Sequence, residues 1–332
     1  MSISFGDGPL VERLKRRMDK VESLLLDNVV LDDLQIDSTL LHLAKAGGKR
    51  IRPLLVLLTS ELGATPESQD VYDAAVLVEL THLASLYHDD VMDDAPSRRG
   101  VPSVHKEYSN IVAILAGDII FARASHIGAS LGEEMVLLHA DTFTRLCQGQ
   151  LHETMGRTAG QSSFEHYISV LSDKTGSLIS AAARSGVICS GGTPEHAEAV
   201  GQWAERIGVA FQLSDDVIDI FASAETSGKT PGTDLREGVD TMPIIFLRQQ
   251  AEKGTIDEQG QEILDLLAGG LNTDADVEKV IALLRQHAVV QQTLDLAHQW
   301  VDEAESFLNA LPDGDVKETM KNLGRELVDR SC

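Results

Sequence analysis

Apolar residues recur at three- and four-residue spacing along most of the chain, the period of a helix that buries one face. The pattern predicts helices over 10–26, 70–88, 111–131, 135–155, 164–186, 194–221, 256–267 and 276–311. Glycine and proline punctuate their ends, as at Gly63-Ala64-Thr65-Pro66 and Gly191-Gly192-Thr193-Pro194. Alternating apolar and polar stretches bounded by turns are nearly absent, so strands contribute little. The polar interruption 222–240 reads as a loop, and the expectation is one all-α domain spanning 1–332.

Two of these helices end in the same acidic pattern. The run 74–87 leads into His88-Asp89-Asp90-Val91-Met92-Asp93-Asp94, and Val209–Ser214 leads into Asp215-Asp216-Val217-Ile218-Asp219. At 100° per residue, Asp89, Asp90 and Asp93 fall at about 0°, 100° and 40°, so three carboxylates share one side of an apolar helix. Such crowding is unfavourable unless cations sit among the oxygens. Carboxylates on a rigid scaffold suit a hard ion such as Mg²⁺, which keeps several waters and bridges to substrate phosphates. One acidic cluster is equally well a solvated helix end. Two, each closing an apolar helix, point to metal clusters facing one another across a shared cavity.

Composition narrows the partners. The 332 residues, 43% hydrophobic, can bury a large core. No uncharged apolar run reaches membrane-spanning length, and residues 1–10 lack a signal-peptide pattern. Cys147, Cys189 and Cys332 are too widely spaced for a disulfide framework or zinc site, which suits a reducing cytoplasm. A net charge of −24 argues against nucleic-acid binding. An anionic substrate must therefore be held by local cations. Gly47-Gly48-Lys49-Arg50-Ile51-Arg52-Pro53 offers open backbone amides, a point charge at Lys49 and a bidentate fork at Arg52. Arg98-Arg99-Gly100 is a second basic site, just after the first acidic cluster. Basic loops flanking carboxylate–metal sites suggest diphosphate substrates.

With these residues in hand the chain resembles the trans-isoprenyl diphosphate synthases of the polyprenyl synthetase family. The matches are 47–53, His82, 88–100, Gly117-Asp118, Lys174-Thr175, 211–219, Gly228-Lys229 and 232–238. As an ordered set they are far more specific than any one alone. The resemblance implies a helical bundle around a central hydrophobic cavity, a homodimer, and head-to-tail condensation of isopentenyl diphosphate with an allylic diphosphate. It implies Mg²⁺, three ions per site with Mn²⁺ as a substitute, held by Asp89, Asp93 and Asp215 while Asp90, Asp216 and Asp219 complete or orient the shells. Arg98, Lys174 and Lys229 would contact the allylic diphosphate, and Lys174, Thr175 and Gln212 would border the reactive carbons. Lys49, Arg52, His82 and Arg99 would hold isopentenyl diphosphate. No side chain stands out as the final base; in the family the released diphosphate is thought to take that proton.

Ser85 lies one turn below Asp89 on the same face, with Ala84 beside it; Phe121 and Phe143 are candidate plugs deeper down. Small residues at 84 and 85, and a first motif without a two-residue insertion, resemble medium- and long-chain enzymes that make quinone side chains. The expected product is longer than C20, with C20 the alternative, and it would pass to membrane enzymes. One departure is Val239 within Gly238-Val239-Asp240-Thr241-Met242-Pro243, where the family often has lysine. Rival readings are a metal-dependent phosphohydrolase using His82, His88 and Asp89, a class I terpene cyclase, and a non-catalytic subunit. None of the three calls for both acidic motifs intact beside two basic pockets.

Overall fold

The computed structural model describes residues 8–221 and 232–329. Elements are labelled in chain order over those residues. They are α1 (Pro9–Val29), α2 (Leu34–Lys45), α3 (Ile51–Ser60), α4 (Gln69–Met92), the two-residue strands β1 (Ser97–Arg98) and β2 (Val101–Pro102), α5 (Val104–Glu107), α6 (Asn110–Leu131) and α7 (Glu133–Met155). There follow α8 (Ser163–Leu171), a π-helical turn (Ser172–Gly176), α9 (Ser177–Cys189) and α10 (Pro194–Phe221). The C-terminal part holds α11 (Thr233–Arg236), α12 (Met242–Glu252), α13 (Glu258–Gly269), α14 (Asp274–Leu284), α15 (Ala288–Phe307), a 3₁₀ turn (Leu308–Ala310) and α16 (Asp315–Val328). The all-α expectation holds.

Local chemistry sets many of the helix starts. Pro9 opens α1, where its missing N–H costs nothing, and Asp33 caps α2 by accepting from the amides of Gln35 and Ile36. Ser162 and Glu165 close a reciprocal capping box on α8. Three differences from the periodic pattern have physical causes. Helix α3 is buried on almost every side, so it carries no one-sided apolar stripe. The window 164–186 is two helices joined by the π turn, which keeps the chain helical while adding a residue. The window 276–311 is broken at Arg285–His287, where His287 caps α15. Helices α2, α12 and α16 lie outside the predicted windows.

One contiguous hydrophobic core runs from Leu10 to Val328, with Trp203 and Tyr87 the bulkiest fully buried side chains. Helix α4 packs on α3, α6 and α9, while α10 packs on α9 and α15. The Tyr87 hydroxyl reaches the carbonyls of Thr39 at 2.8 Å and Leu40 at 2.9 Å, which ties α2 to α4 and sets where the 47–50 loop begins. Helix α6 is long and apolar enough by composition to cross a membrane, although Asp118 and Arg123 interrupt its run. Its inner face packs through Ala113, Ala116, Ile120 and Ala124, while Ile111, Ile114 and Leu115 remain exposed.

Candidate active site

Both acidic motifs occupy the last turns of long core helices. Asp93 is the C-cap of α4, and Asp219 lies two residues before the end of α10. A helix C-terminus is the negative end of the backbone dipole, so carboxylates there add to an existing negative field. The structure meets this with specific partners. Arg98 Nε donates to Asp90 Oδ1 at 2.7 Å, and Asp90 is almost completely buried. Asp216, equally buried, accepts from the Tyr167 hydroxyl at 2.8 Å and the Met242 amide at 3.2 Å. Asp219 accepts from the amides of Thr233 at 3.3 Å and Asp234 at 3.4 Å. Asp90 and Asp216 thus point inward and orient the tips, which leaves Asp89, Asp93 and Asp215 as the more available carboxylates.

The electrostatics fit a hard divalent cation. Burial pushes the Asp89 carboxyl up to about 6 and raises Asp93 as well, with neighbouring carboxylates adding to the effect and Lys174 opposing it. Asp90 Oδ2 is buried without a hydrogen-bond partner among the described residues. Oxygen donors short of positive charge are what such an ion requires. Among the described residues no three side chains converge into a closed metal cage. An open carboxylate rim of this kind matches ions that keep waters and bind substrate phosphate.

The π turn joins the two tips. Lys174 acts electrostatically on Asp89 and Asp93 and donates to Glu153 of α7, while the next residue, Thr175, donates to Gln212 Oε1 at 3.4 Å. Gln212 lies one turn before Asp215 and Asp216. Glycines permit this approach. A Cβ at Gly149 would meet the Lys174 amide nitrogen at 3.0 Å, and one at Gly208 would meet Gly176 Cα at 2.7 Å.

The basic pocket forms beside the first tip. Arg99 and Gly100 both have positive φ, 55° and 79°, and turn the β1–β2 hairpin so that Arg98 reaches Asp90 while Arg99 reaches back to the carbonyls of Leu43 and Gly47. Gly48 lies against the Arg99 guanidinium, where a Cβ would sit 3.0 Å from Cζ. Arg52 and Arg99 crowd His82. Desolvation lowers Arg52 to about 10, lowers Arg99, and holds His82 well below the usual imidazole range, with the arginines adding to that last shift. Burial among these guanidinium groups therefore disfavours the charged form of His82. Lys49 Nζ lies 5.5 Å from the centre of the Phe211 ring, which brings the 47–50 loop to α10.

Several functional contacts were not evident from sequence. Buried Glu79 pairs with Arg50 at 2.6 Å and lies 3.8 Å from Arg99. Its signal was a lone carboxylate inside Val76-Leu77-Val78-Glu79-Leu80, three residues before His82. Arg50, in left-handed conformation, is also paired with Glu22. Tyr167 and Glu153 gave no signal. Gly117-Asp118 proves to be a seat for His88, whose ring would clash with any Cβ at 117 and lies 3.4 Å from Asp118. Lys229 and Gly228 lie outside the described residues. Val239 is exposed at the position where lysine was expected.

Below Asp89, Ser85 is half-buried and donates to the His82 carbonyl, but Ala84 is packed away in the core. Of the two expected path positions, Ser85 and Ala84, only Ser85 is accessible, since the two side chains diverge by about 100° and Ala84 is buried. One turn deeper, Thr81 lies 3.4 Å from His139, which stacks on Phe121; Phe121 and Phe143 ring centres are 3.9 Å apart. These rings pack α6 and α7 together two turns below Asp89.

The polyprenyl synthetase family model matches residues 34–284. The nonaprenyl diphosphate synthase of Mycobacterium tuberculosis is 40% identical over 311 residues, covering 94% of this chain and 91% of that protein. A crystal structure of geranylgeranyl pyrophosphate synthase from Corynebacterium glutamicum, complexed with calcium and isoprenyl diphosphate, superposes with a TM-score of 0.86 at 42% identity and 99% coverage of both chains. A polyprenyl synthase from Caulobacter crescentus, also complexed with calcium and isoprenyl diphosphate, gives 0.87 at 28% identity and 97% coverage of both. Motifs, helical architecture and likeness to known proteins agree: this chain belongs to the polyprenyl synthetase family.

Proposed function

We propose that the protein is an all-trans polyprenyl diphosphate synthase whose product is longer than C20. The observation that carries the reading is the Lys174–Thr175 pair, one residue acting on the first aspartate tip and the next bonded to Gln212 beside the second. Magnesium ions, three per site and replaceable by manganese, held by Asp89, Asp93 and Asp215, would neutralise the allylic diphosphate as Lewis acids. Arg98, Lys174 and Lys229 add preorganised positive charge to the same leaving group. Lys49, Arg52, Arg99 and His82 hold isopentenyl diphosphate. The allylic C–O bond breaks, the isopentenyl double bond attacks the allylic carbon to form the new C–C bond, and one proton leaves to the released diphosphate. Thr175 and Gln212 border those carbons, and the apolar helix faces exclude water.

Product length rests on the path past Ser85. The Thr81–His139 contact lies eight residues below Asp89, about 12 Å of helix rise. A chain that outgrows this depth must part the half-exposed Phe121–Phe143 pair. The nonaprenyl relative favours that outcome. A C20 product is the second reading, favoured by the close packing of the Phe121 and Phe143 rings and by the Corynebacterium relative. The exposed apolar side chains Ile111 and Leu115 on α6 and Leu137, Leu151 and Met155 on α7 support a homodimer. The reading includes a cytoplasmic enzyme that hands its product to membrane enzymes.

The test is incubation with isopentenyl diphosphate, Mg²⁺ and separate C5, C10, C15 and C20 primers, followed by chromatography of the dephosphorylated products. Condensation products longer than C20 are expected. Phosphate release without C–C bond formation, or cyclised hydrocarbons formed without isopentenyl diphosphate, would replace the reading with a phosphohydrolase or a cyclase.

A further inference from the structure

The π turn is closed by the Ser177 amide donating to the Ser172 carbonyl, which leaves one residue more than an α-helical turn would hold. That extra residue presents Lys174 toward the first tip and Thr175 toward Gln212. Such a bulge persists only where its surroundings hold it. On one side the close contacts of Gly149 and Gly208 hold it by packing. Behind it, between α7, α9 and α10, opens a cavity of about 260 Å³ that contains none of the residues named from sequence and that Arg145, Ser177 and Glu205 line. There the restraint is a polar network. Arg145 of α7 donates from Nε to Asp173 Oδ1 at 2.8 Å, from one terminal nitrogen to Ser172 Oγ at 3.0 Å, and to both Glu205 oxygens at 2.7 and 3.2 Å. Ser172 Oγ donates to Glu205 Oε1 at 2.7 Å, so one guanidinium ties the turn to α7 and α10 together.

We propose that Arg145 is a positioning residue for Lys174 and Thr175, acting through the π turn. It holds the extra residue in place because a guanidinium with three partners fixes both distance and orientation. Without it, the open cavity leaves room for the bulge to shift along the helix and rotate both side chains away. The proposal rests on Lys174 serving the allylic diphosphate, as proposed above.

The test compares the full-length wild type with Arg145→Ala, Arg145→Lys and Asp173→Asn. In Arg145→Ala, KM for the allylic diphosphate should rise on the order of tenfold or more, with KM for isopentenyl diphosphate little changed. Arg145→Lys should recover part of the loss. Amide hydrogen exchange across 172–177 should quicken about tenfold while the rest of the molecule keeps its protection. If Arg145→Ala does not fold, Asp173→Asn, which weakens only the Nε contact, carries the same two readouts. Unchanged exchange across the turn, or an equal rise in KM for both substrates, overturns the proposal. Exchange is read without substrate. Quickened exchange with a wild type that forms no C–C bond therefore supports the brace and sinks only the functional reading.

Discussion

The two aspartate motifs share a pattern and a place, yet the protein holds them by different means. At the α4 tip the middle carboxylate, Asp90, is buried against a guanidinium. At the α10 tip the middle carboxylate, Asp216, is buried against a phenol and an amide. Neutral donors compensate a buried charge less fully than an ion pair, and desolvation raises Asp216 well above the ordinary carboxylate range. The third aspartates differ too. Asp93 caps its own helix, whereas Asp219 accepts amides that follow residues 222–231, so the second tip is linked to the start of α11. One tip is clamped by a guanidinium eight residues further on, and the other draws on amides 14 to 26 residues further on.

The largest effects should come from the outward carboxylates common to both tips. Asp89→Ala and Asp215→Ala should each lower turnover by about two orders of magnitude or more, as expected when several kcal/mol of leaving-group stabilisation is lost. Near-normal rates in either would break the shared role. Next comes the clamp. Arg98→Ala leaves Asp90 buried without its cation, a loss of about 3 kcal/mol, and the metal-free protein should melt at lower temperature. Asp216→Asn keeps an acceptor for its neutral donors and should cost clearly less in the same thermal scan; equal losses would erase the contrast. Tyr167→Phe removes a single hydrogen bond to Asp216, about 1 kcal/mol, so turnover should fall roughly fivefold, and the same rate as wild type would show that this bond does not orient the tip. Ser85→Phe should alter rate least, yet shorten the product by filling the path above the Phe121–Phe143 pair. An unchanged product length on chromatography would mean the chain grows elsewhere.

Much of this was legible in the chain because its chemistry is local. The tips, the glycine-rich basic loop and the Arg98-Arg99-Gly100 turn are contiguous, and the structure brings Arg52, His82 and Arg99 together while Lys49 reaches Phe211 of α10. What escaped depends on partners far apart in sequence. Tyr167 is 49 residues from Asp216, and Arg145 is 60 from Glu205. No spacing rule joins them. Helix α3 escaped for another reason, since a segment buried all round has no periodic polar face. Lys174-Thr175 was legible through the family resemblance, but the π turn that holds it falls inside one continuous predicted window, 164–186, because a π turn keeps the chain helical.

The central claim is that both tips grip one diphosphate. Crystals grown with Mn²⁺ and a non-ionisable allylic diphosphate analogue test it directly through the anomalous signal of the metal. The account predicts manganese peaks at Asp89 and Asp93 and at Asp215, all bridged by the same diphosphate, with the prenyl tail running past Ser85. Metal at one tip alone, or a diphosphate bound away from Asp215, would contradict it.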